Sequence, residues 1–399
     1  MRLEIPGRPH FGYCTNIHAG ETWPEIDGSL QRYLPAIKAQ IAPDQAMGIG
    51  LRLSAIAAEE LACAEAVQCF RSFLTANDLY VFTVNAFPYG PFHGQRVKEQ
   101  VYEPDWRTPE RLAYTKRVAG ILAELTPSGF ESSISTVPGG FKARITQPDD
   151  IAQVTQSLVR CAAYLHAIAR DTGRVISLAI EPEPACFLET TREAIAYFRD
   201  HLFARDACQL FASLAQTSAA DAESALRLHL GLCLDVCHSA VEFETAREIL
   251  AEVDAAGIRI PKLQLSSALR AQAVDAGIAE QLMAFNDGIY LHQTVQQRDG
   301  ELTRYTDLPD AVAAARHGEA GGEWRVHCHV PVFLDRFGEL QSTQDTLRDV
   351  LAICRERAVS PHLEVETYTW GVLPPHMREA SLGDSIVREL QWVRSELHA

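Results

Sequence analysis

Short runs of apolar and β-branched residues alternate along this chain with longer stretches in which apolar residues recur every three or four positions. The first pattern suits a strand buried on both faces and the second a helix with one buried stripe. Their alternation predicts βα units joined in a parallel sheet. Eight strands are expected: Gly12–His18, Gly48–Leu53, Leu79–Asn85, Phe130–Val137, Val175–Glu181, Leu228–Asp235, Lys262–Ser266 and Leu363–Thr367. Helical stretches between them cover Ala57–Asn77, Pro109–Leu125, Asp149–Thr172, Thr190–Phe203, Glu242–Ala256, Ala271–Phe285 and Thr343–Arg357. Thr108 before Pro109, and Ser342 before Thr343, read as helix caps. Eight such units predict an α/β fold, a (β/α)8 TIM barrel.

The alternation breaks near Ile289–Tyr305, where apolar and polar residues alternate around Asp299-Gly300, a strong hairpin signal. A further extended run, Trp324–Phe333, follows. Both fall between the seventh and eighth strands, so an elaborated βα-loop of about residues 286–335 is expected over the barrel mouth. Arg205–Ser224 reads as an additional Ala-rich helix, an insertion of about 205–225, and Glu379–Leu397 as a closing C-terminal amphipathic helix. No repeat or Pro/Gly-rich linker divides the chain, so residues 1–399 are expected to form one domain.

Charge narrows the partners. With 52 acidic and 36 basic side chains the formal charge is −16. That argues against nucleic acid, whose binding rests on neutralising phosphates, and against an anionic membrane surface. A small molecule or another protein is the expected partner, and the composition is compatible with an oligomer. No apolar run is long enough for a signal peptide or a membrane span, which reads as cytoplasmic. The ten cysteines are scattered without a CxxC, and Cys161, Cys233 and Cys354 sit in apolar patterns, as reduced core thiols would.

Barrel chemistry sits at the C-terminal ends of the strands. Strand five ends Glu181-Pro182-Glu183-Pro184, strand six ends Asp235-Val236-Cys237-His238, strand seven carries Gln264, and strand eight reads Glu364-Val365-Glu366. Period-two alternation turns Gln264, Glu364 and Glu366 inward. Inward carboxylates are costly without a positive partner, and a divalent metal supplies one. Glu181, Asp235, Glu366 and the Gln264 amide oxygen make an oxygen-rich shell suited to Mg²⁺ or Mn²⁺.

This order of strand-end residues resembles the xylose isomerase-like superfamily of TIM barrels, which includes sugar and sugar-phosphate isomerases and epimerases and the endonuclease IV family. There a Glu ends strand five, an Asp-x-x-His strand six, a His or Gln strand seven and a Glu strand eight; here these are Glu181, Asp235 with His238, Gln264 and Glu366. Within it, Pro91-Phe92-His93-Gly94 through Tyr102-Glu103-Pro104-Asp105-Trp106, Leu265-Ser266-Ser267-Ala268-Leu269 and Val326-His327-Cys328-His329-Val330-Pro331 resemble the EboE-type metabolite traffic proteins.

The resemblance implies proton transfer at a carbon beside a carbonyl of a sugar, cyclitol or sugar phosphate. Glu181 and Glu366 would carry the proton, as two bases in an epimerase or one in an isomerase. His238 either binds a substrate oxygen or joins the metal, Glu183 binds substrate hydroxyls or forms a loop salt bridge, and His18 and His93 are candidates to line the pocket. His327 and His329, with His292, are candidates for a second metal, as in endonuclease IV-like members, which would favour Zn²⁺, Mn²⁺ or Fe²⁺; otherwise they bind substrate or pack the lid. Arg96, Lys98, Lys142 and Arg144, the last two after Gly139-Gly140, are compatible with a phosphate site or with a solvated basic loop. No P-loop or strand-led GxGxxG is present. Two other readings use the same residues: an endonuclease IV-like phosphodiesterase, which the −16 charge opposes, and a non-catalytic metabolite-binding protein.

Overall fold

A computed structural model describes residues 1–93, 96–127, 129–371, 373 and 381–399. Eight parallel strands form the central sheet: β1 (His10–Tyr13), β2 (Met47–Arg52), β3 (Leu79–Asn85), β4 (Glu131–Thr136), β5 (Val175–Ile180), β6 (Leu230–Asp235), β7 (Lys262–Leu265) and β8 (His362–Val365). Neighbours in the sheet are neighbours in sequence, β8 pairs with β1, and a parallel bridge from Cys14 to Gly50 joins β1 to β2. The sheet therefore closes as the (β/α)8 barrel that the alternation predicts. Parallel order follows because each strand is followed by a crossover long enough to return to the same edge.

The helices depart from the expected spans in instructive ways. Trp23–Ile41 is a helix that the sequence reading passed over, with Pro24 in its first turn. Ala57–Asn77 is two helices, Ala55–Leu61 and Ala64–Ala76, and Arg205–Ser224 is also two, Arg205–Ala215 and Ala219–His229. The second break is local: Gln216 takes a left-handed conformation (φ 54°) and Ser218 caps the next helix at Asp221 N–H. Thr108 caps Pro109–Leu125 as expected, whereas Thr343 rather than Ser342 precedes the first turn of Gln344–Glu356. Gly94 of the third-loop segment, and Glu379 at the start of the expected closing helix, lie outside the described residues; that helix is described over Leu382–His398.

The largest departure follows β7. The helix expected over Ala271–Phe285 is shorter, Ala276–Leu282 continued by one tighter turn at Met283–Phe285, and it lies in a longer insertion built on a six-stranded antiparallel sheet, ordered Glu301–Tyr305, Thr294–Arg298, Glu323–Val326, Leu269–Ala271, Leu340–Ser342 and Arg336–Phe337. Asp299-Gly300 makes the expected hairpin turn, with φ positive at both residues (53° and 86°). The sheet packs on the short helix Val236–Val241 through Cys237, Val241, Ala268 and Val295, and Arg325 donates to the Ala240 carbonyl at 2.7 Å. Glu389 of the last helix accepts from Val332 N–H (3.2 Å), Thr367 hydroxyl (2.7 Å) and Trp370 indole (3.2 Å). Those bonds fix the chain beyond His329 against the end of β8.

The barrel interior is polar in layers. Near the N-terminal end, Thr83, Ser133 and His362 form a hydrogen-bonded chain (2.7 and 2.8 Å). Above it the fully buried Lys262 and Glu364 pair at 2.6 Å, and Lys262 also donates to Ser135 at 3.1 Å. Gly50 makes room for this pair, since a Cβ there would lie 1.5 Å from Glu364 Oε1. The uppermost layer holds the candidate site.

Candidate functional site

Three strand ends deliver carboxylates to one place. Glu181 follows β5, its N–H donating to Thr136 O at 3.1 Å, and Glu366 follows β8, its N–H donating to Leu265 O at 3.2 Å. Asp235, the last residue of β6, accepts from Ser266 hydroxyl (2.7 Å) and from His238 N–H (3.0 Å) through Oδ1. One oxygen from each of Glu181, Asp235 and Glu366 lies within 4.8 Å of the other two, and all three residues are buried.

Their surroundings differ. Glu366 is held at both oxygens: Oε1 accepts from Asn16 (2.7 Å) and Asn85 (3.0 Å), and Oε2 accepts from the Gln264 amide nitrogen. Glu181 Oε2 and Asp235 Oδ2 have no hydrogen-bond partner. Burial pushes the Glu181 carboxyl well above the usual range and the Asp235 charge adds to it; burial, then the Glu181 and Asp235 charges, does the same to Glu366. Burial also opposes charge on Asp235, but neighbouring His238 and His329 and the Ser266 and His238 N–H bonds hold its pKa below the ordinary value. Lys262, beneath them, is already paired with Glu364. Converging buried oxygens, two of them without partners, suit a hard divalent cation.

Beside the trio stand three buried imidazoles. His238 Nε2 and His327 Nε2 are 3.1 Å apart, and His329 reaches to within 4.8 Å of His238 and Asp235 ligand atoms. Glu183 accepts from Tyr102 hydroxyl (2.7 Å) and Gln293 amide (3.1 Å); burial lifts its pKa to about 7 although both bonds oppose the rise. Glu181, Glu183, Glu366 and the three imidazoles line one cavity, whose space of about 520 Å³ includes its opening to solvent; Asp235 lies behind them without lining it. The cavity's far wall is aromatic: the rings of Phe92, Tyr290 and Tyr368 lie 5.0 to 5.3 Å apart centre to centre. A concave site with aromatic rings on one side and converging polar groups on the other suits a small molecule.

No protein-family profile matches this sequence, and no curated protein matches it. Solved structures similar to it share little sequence. They include the zinc-bound IOLI protein (13% identity, TM-score 0.46, covering 97% of each chain). A probable 3-DHS dehydratase, AsbF, from Bacillus anthracis is similar at 11% identity and TM-score 0.48, covering 96% of this chain and 97% of that one. D-allulose 3-epimerase from Methylomonas sp., in complex with D-allulose, is similar at 11% identity and TM-score 0.48, covering 99% of this chain and 100% of that one.

Among the residues singled out from the sequence, Glu181, Glu183, His238, His327, His329 and Glu366 line the cavity. Gln264 is adjacent to Asp235 and Glu366 but is turned otherwise than expected: its nitrogen donates to Glu366, and its oxygen accepts from Cys233 Sγ at 2.8 Å. It holds a carboxylate in place instead of offering an oxygen. His292 stands away from the other imidazoles, its Nδ1 on His327 O (2.9 Å) and its Nε2 beside Asp287 (3.3 Å), and His238 takes the place expected for it next to His327. His18 is bonded to Tyr13 hydroxyl (2.8 Å) and stacked on Tyr33, and His93 bonds Asn16 O (2.7 Å); neither lines the cavity. The basic group disperses: Lys142 pairs with Glu189 and Glu193, Arg144 with Glu103, and Arg96 is exposed. Lys98 alone of the four lines the cavity, paired with Asp307.

Asn16, Asn85, Tyr102, Gln293 and Tyr368 were missed. Asn85 ends β3 and Asn16 lies just past β1, so position at a strand end marks both, whereas His18 and His93 at the same mouth drew the expectation instead. No local pattern marks Gln293 or Tyr368.

Proposed function

We propose that this chain is a divalent-cation-dependent isomerase or epimerase that moves a proton at a carbon beside a carbonyl in a sugar, cyclitol or sugar phosphate. The observation that carries the reading is the meeting of a free, buried Glu181 oxygen with a tightly held Glu366, both lining one cavity, with Asp235 beside them. Glu181, Asp235 and Glu366 would hold Mg²⁺ or Mn²⁺, and such a cation draws electron density from a carbonyl and its neighbouring hydroxyl.

The chain's own residues divide the remaining work. Glu181 is the better proton acceptor, because Oε2 has no donor to compete with the proton and burial raises its basicity. Glu366 keeps its orientation through three amide N–H groups and is the second carboxylate that an epimerase needs. Tyr102 and Gln293 fix Glu183 where it can accept from a substrate hydroxyl. Phe92, Tyr290 and Tyr368 give the cavity an apolar wall.

The test is hydrogen exchange in D₂O, followed by proton NMR, over a panel of ketoses, inososes and their phosphates with Mg²⁺ or Mn²⁺ present. One member should exchange a proton α to its carbonyl. Glu181→Gln should slow that exchange by on the order of 10²–10⁴. Exchange that survives Glu181→Gln and Glu366→Gln together would overturn the assignment of the carboxylates. A substrate that binds without exchanging would favour the metabolite-binding reading.

A further inference from the structure

A second cavity opens at the other end of the barrel, with a space of about 610 Å³ that includes its opening to solvent. It lies where β1, β4 and β8 begin, and Arg2, Arg8, His10, Phe130, Glu131 and His362 line it. Proton transfer at the carboxylates makes no use of this end, since barrel chemistry gathers where the strands finish. Backbone bonds hold Arg2 there. Leu3 N–H donates to Pro9 O (3.0 Å) and Phe11 N–H to Met1 O (2.7 Å), which sets Arg2 antiparallel to β1 and opposite His10.

Most polar groups in this cavity are already satisfied. Both His362 nitrogens are taken, Nδ1 by Ser133 hydroxyl (2.8 Å) and Nε2 by Glu131 O (3.2 Å). Glu131 is ion-paired with Arg259, and Arg8 with Glu4 at 2.7 Å. Two groups are left over. Arg2 makes no side-chain hydrogen bond or ion pair among the described residues, and its charge acts on His10 and Tyr80. His10, only 6% exposed, meets Tyr80 hydroxyl through Nδ1 at 2.8 Å. That hydroxyl has no acceptor elsewhere among the described residues, so it donates to Nδ1 and the ring hydrogen sits on Nε2. Burial, then the Arg2 charge, lower the His10 pKa to about 3, so at neutral pH the ring is uncharged and Nε2–H is a donor without an acceptor.

We propose that this cavity binds a small aromatic carboxylate, with its oxygens on the Arg2 guanidinium and His10 Nε2–H and its ring against Phe130. An unpaired guanidinium beside a lone N–H donor calls for an anion, and a carboxylate matches the guanidinium fork with two parallel bonds. Phe130 sets the apolar part. It is half-buried, and its ring centre lies 4.6 Å from that of His10. A flat ring laid on it extends an aromatic cluster that already runs from Phe130 through His10 to Phe82 and Tyr80. An inorganic anion would meet the two donors but leave that ring face in water. The site is independent of the isomerase reading, because no residue lines both cavities.

The test titrates the full chain, ¹⁵N-labelled at histidine, with benzoate and follows the imidazole nitrogens by NMR, the His10 signals being assigned by their loss in His10→Gln. The His10 Nε2 signal should shift saturably with a Kd on the order of 1 mM, as suits so small a ligand, while the His238 and His327 signals stay in place. Benzyl alcohol, which lacks the charge, and inorganic phosphate, which lacks the ring, should each bind at least about tenfold more weakly. Arg2→Gln, folded by circular dichroism, should weaken benzoate by about tenfold or more. Phe130→Ala serves as a second variant and should weaken it as well. Glu181→Gln should leave the Kd unchanged, which separates this site from the one at the barrel mouth. A shift that never saturates, a Kd unaltered by Arg2→Gln and Phe130→Ala, or equal binding of benzyl alcohol or phosphate would overturn the proposal. So would benzoate that moves His238 and His327 in place of His10.

Discussion

Replacing Lys262 by Met tests how the barrel tolerates charge in its interior. Lys262 and Glu364 are fully buried and 2.6 Å apart, with Ser135 as the lysine's other partner at 3.1 Å. At an effective dielectric of about 20 their attraction is about 6 kcal/mol. The whole of it is not lost in the variant, because a stranded carboxylate can take a proton. Neutralising a carboxyl of ordinary pKa 4.5 at pH 7 costs about 3.4 kcal/mol, and the lost Ser135 bond adds about 1 kcal/mol.

Lys262→Met should therefore destabilise the metal-free protein by about 3–5 kcal/mol at pH 7, the usual range for half of a broken buried pair. The sign with pH follows: the variant's folded state prefers neutral Glu364, so its deficit should shrink by about 1.4 kcal/mol per pH unit as pH falls toward 4.5. Lys262→Met with Glu364→Leu should regain most of the loss. Urea midpoints at pH 5 and 7, with unchanged m-values, supply the numbers. A deficit equal at both pH values, or a double variant as unstable as the single one, would refute the account.

Glu244 accepts from Thr191 N–H and hydroxyl at 2.9 and 2.8 Å, yet burial lifts its pKa from 4.5 to about 7. That shift is worth about 3 kcal/mol in full, and its partial exposure reduces the expected effect to about 1–2 kcal/mol. Its stabilising form is the neutral one, fully present below about 4.5 and lost as pH rises through about 7, so Glu244→Gln should stabilise the protein at pH 8 and leave it unchanged near pH 4.5. Equal urea midpoints at pH 8 would contradict this. All ten cysteines are free thiols and only Cys63 and Cys69 are exposed, so a thiol reagent should modify two groups quickly in native protein and ten in denaturant. Fewer than ten in denaturant without reductant would reveal a disulfide.

Much of this molecule was legible in its sequence. Apolar runs at β1–β8 and the helical periods between them specify βα units, and period-two alternation fixes that Gln264, Glu364 and Glu366 face inward, because both properties are local. The Asp299-Gly300 turn is legible for the same reason: its two positive φ angles need residues of that kind.

Tertiary structure decided what lies between distant segments. His238 and His327 are 89 positions apart, and they meet only because an antiparallel sheet, beginning with the strand Leu269–Ala271 just beyond β7, returns the chain over the barrel mouth. Which histidine arrives beside His238 depends on that sheet's register. The pairing of Val326 with Thr294 brings the residue that follows it, His327, to the site, while His292 is drawn aside to Asp287. Gln264 was placed correctly by its strand, but the choice between offering oxygen or nitrogen was made by Cys233 and Glu366. The sequence determined which chemistries stand at the barrel's mouth; the packing of the inserted sheet determined which of their atoms face one another, because those contacts join segments whose local patterns carry no information about each other.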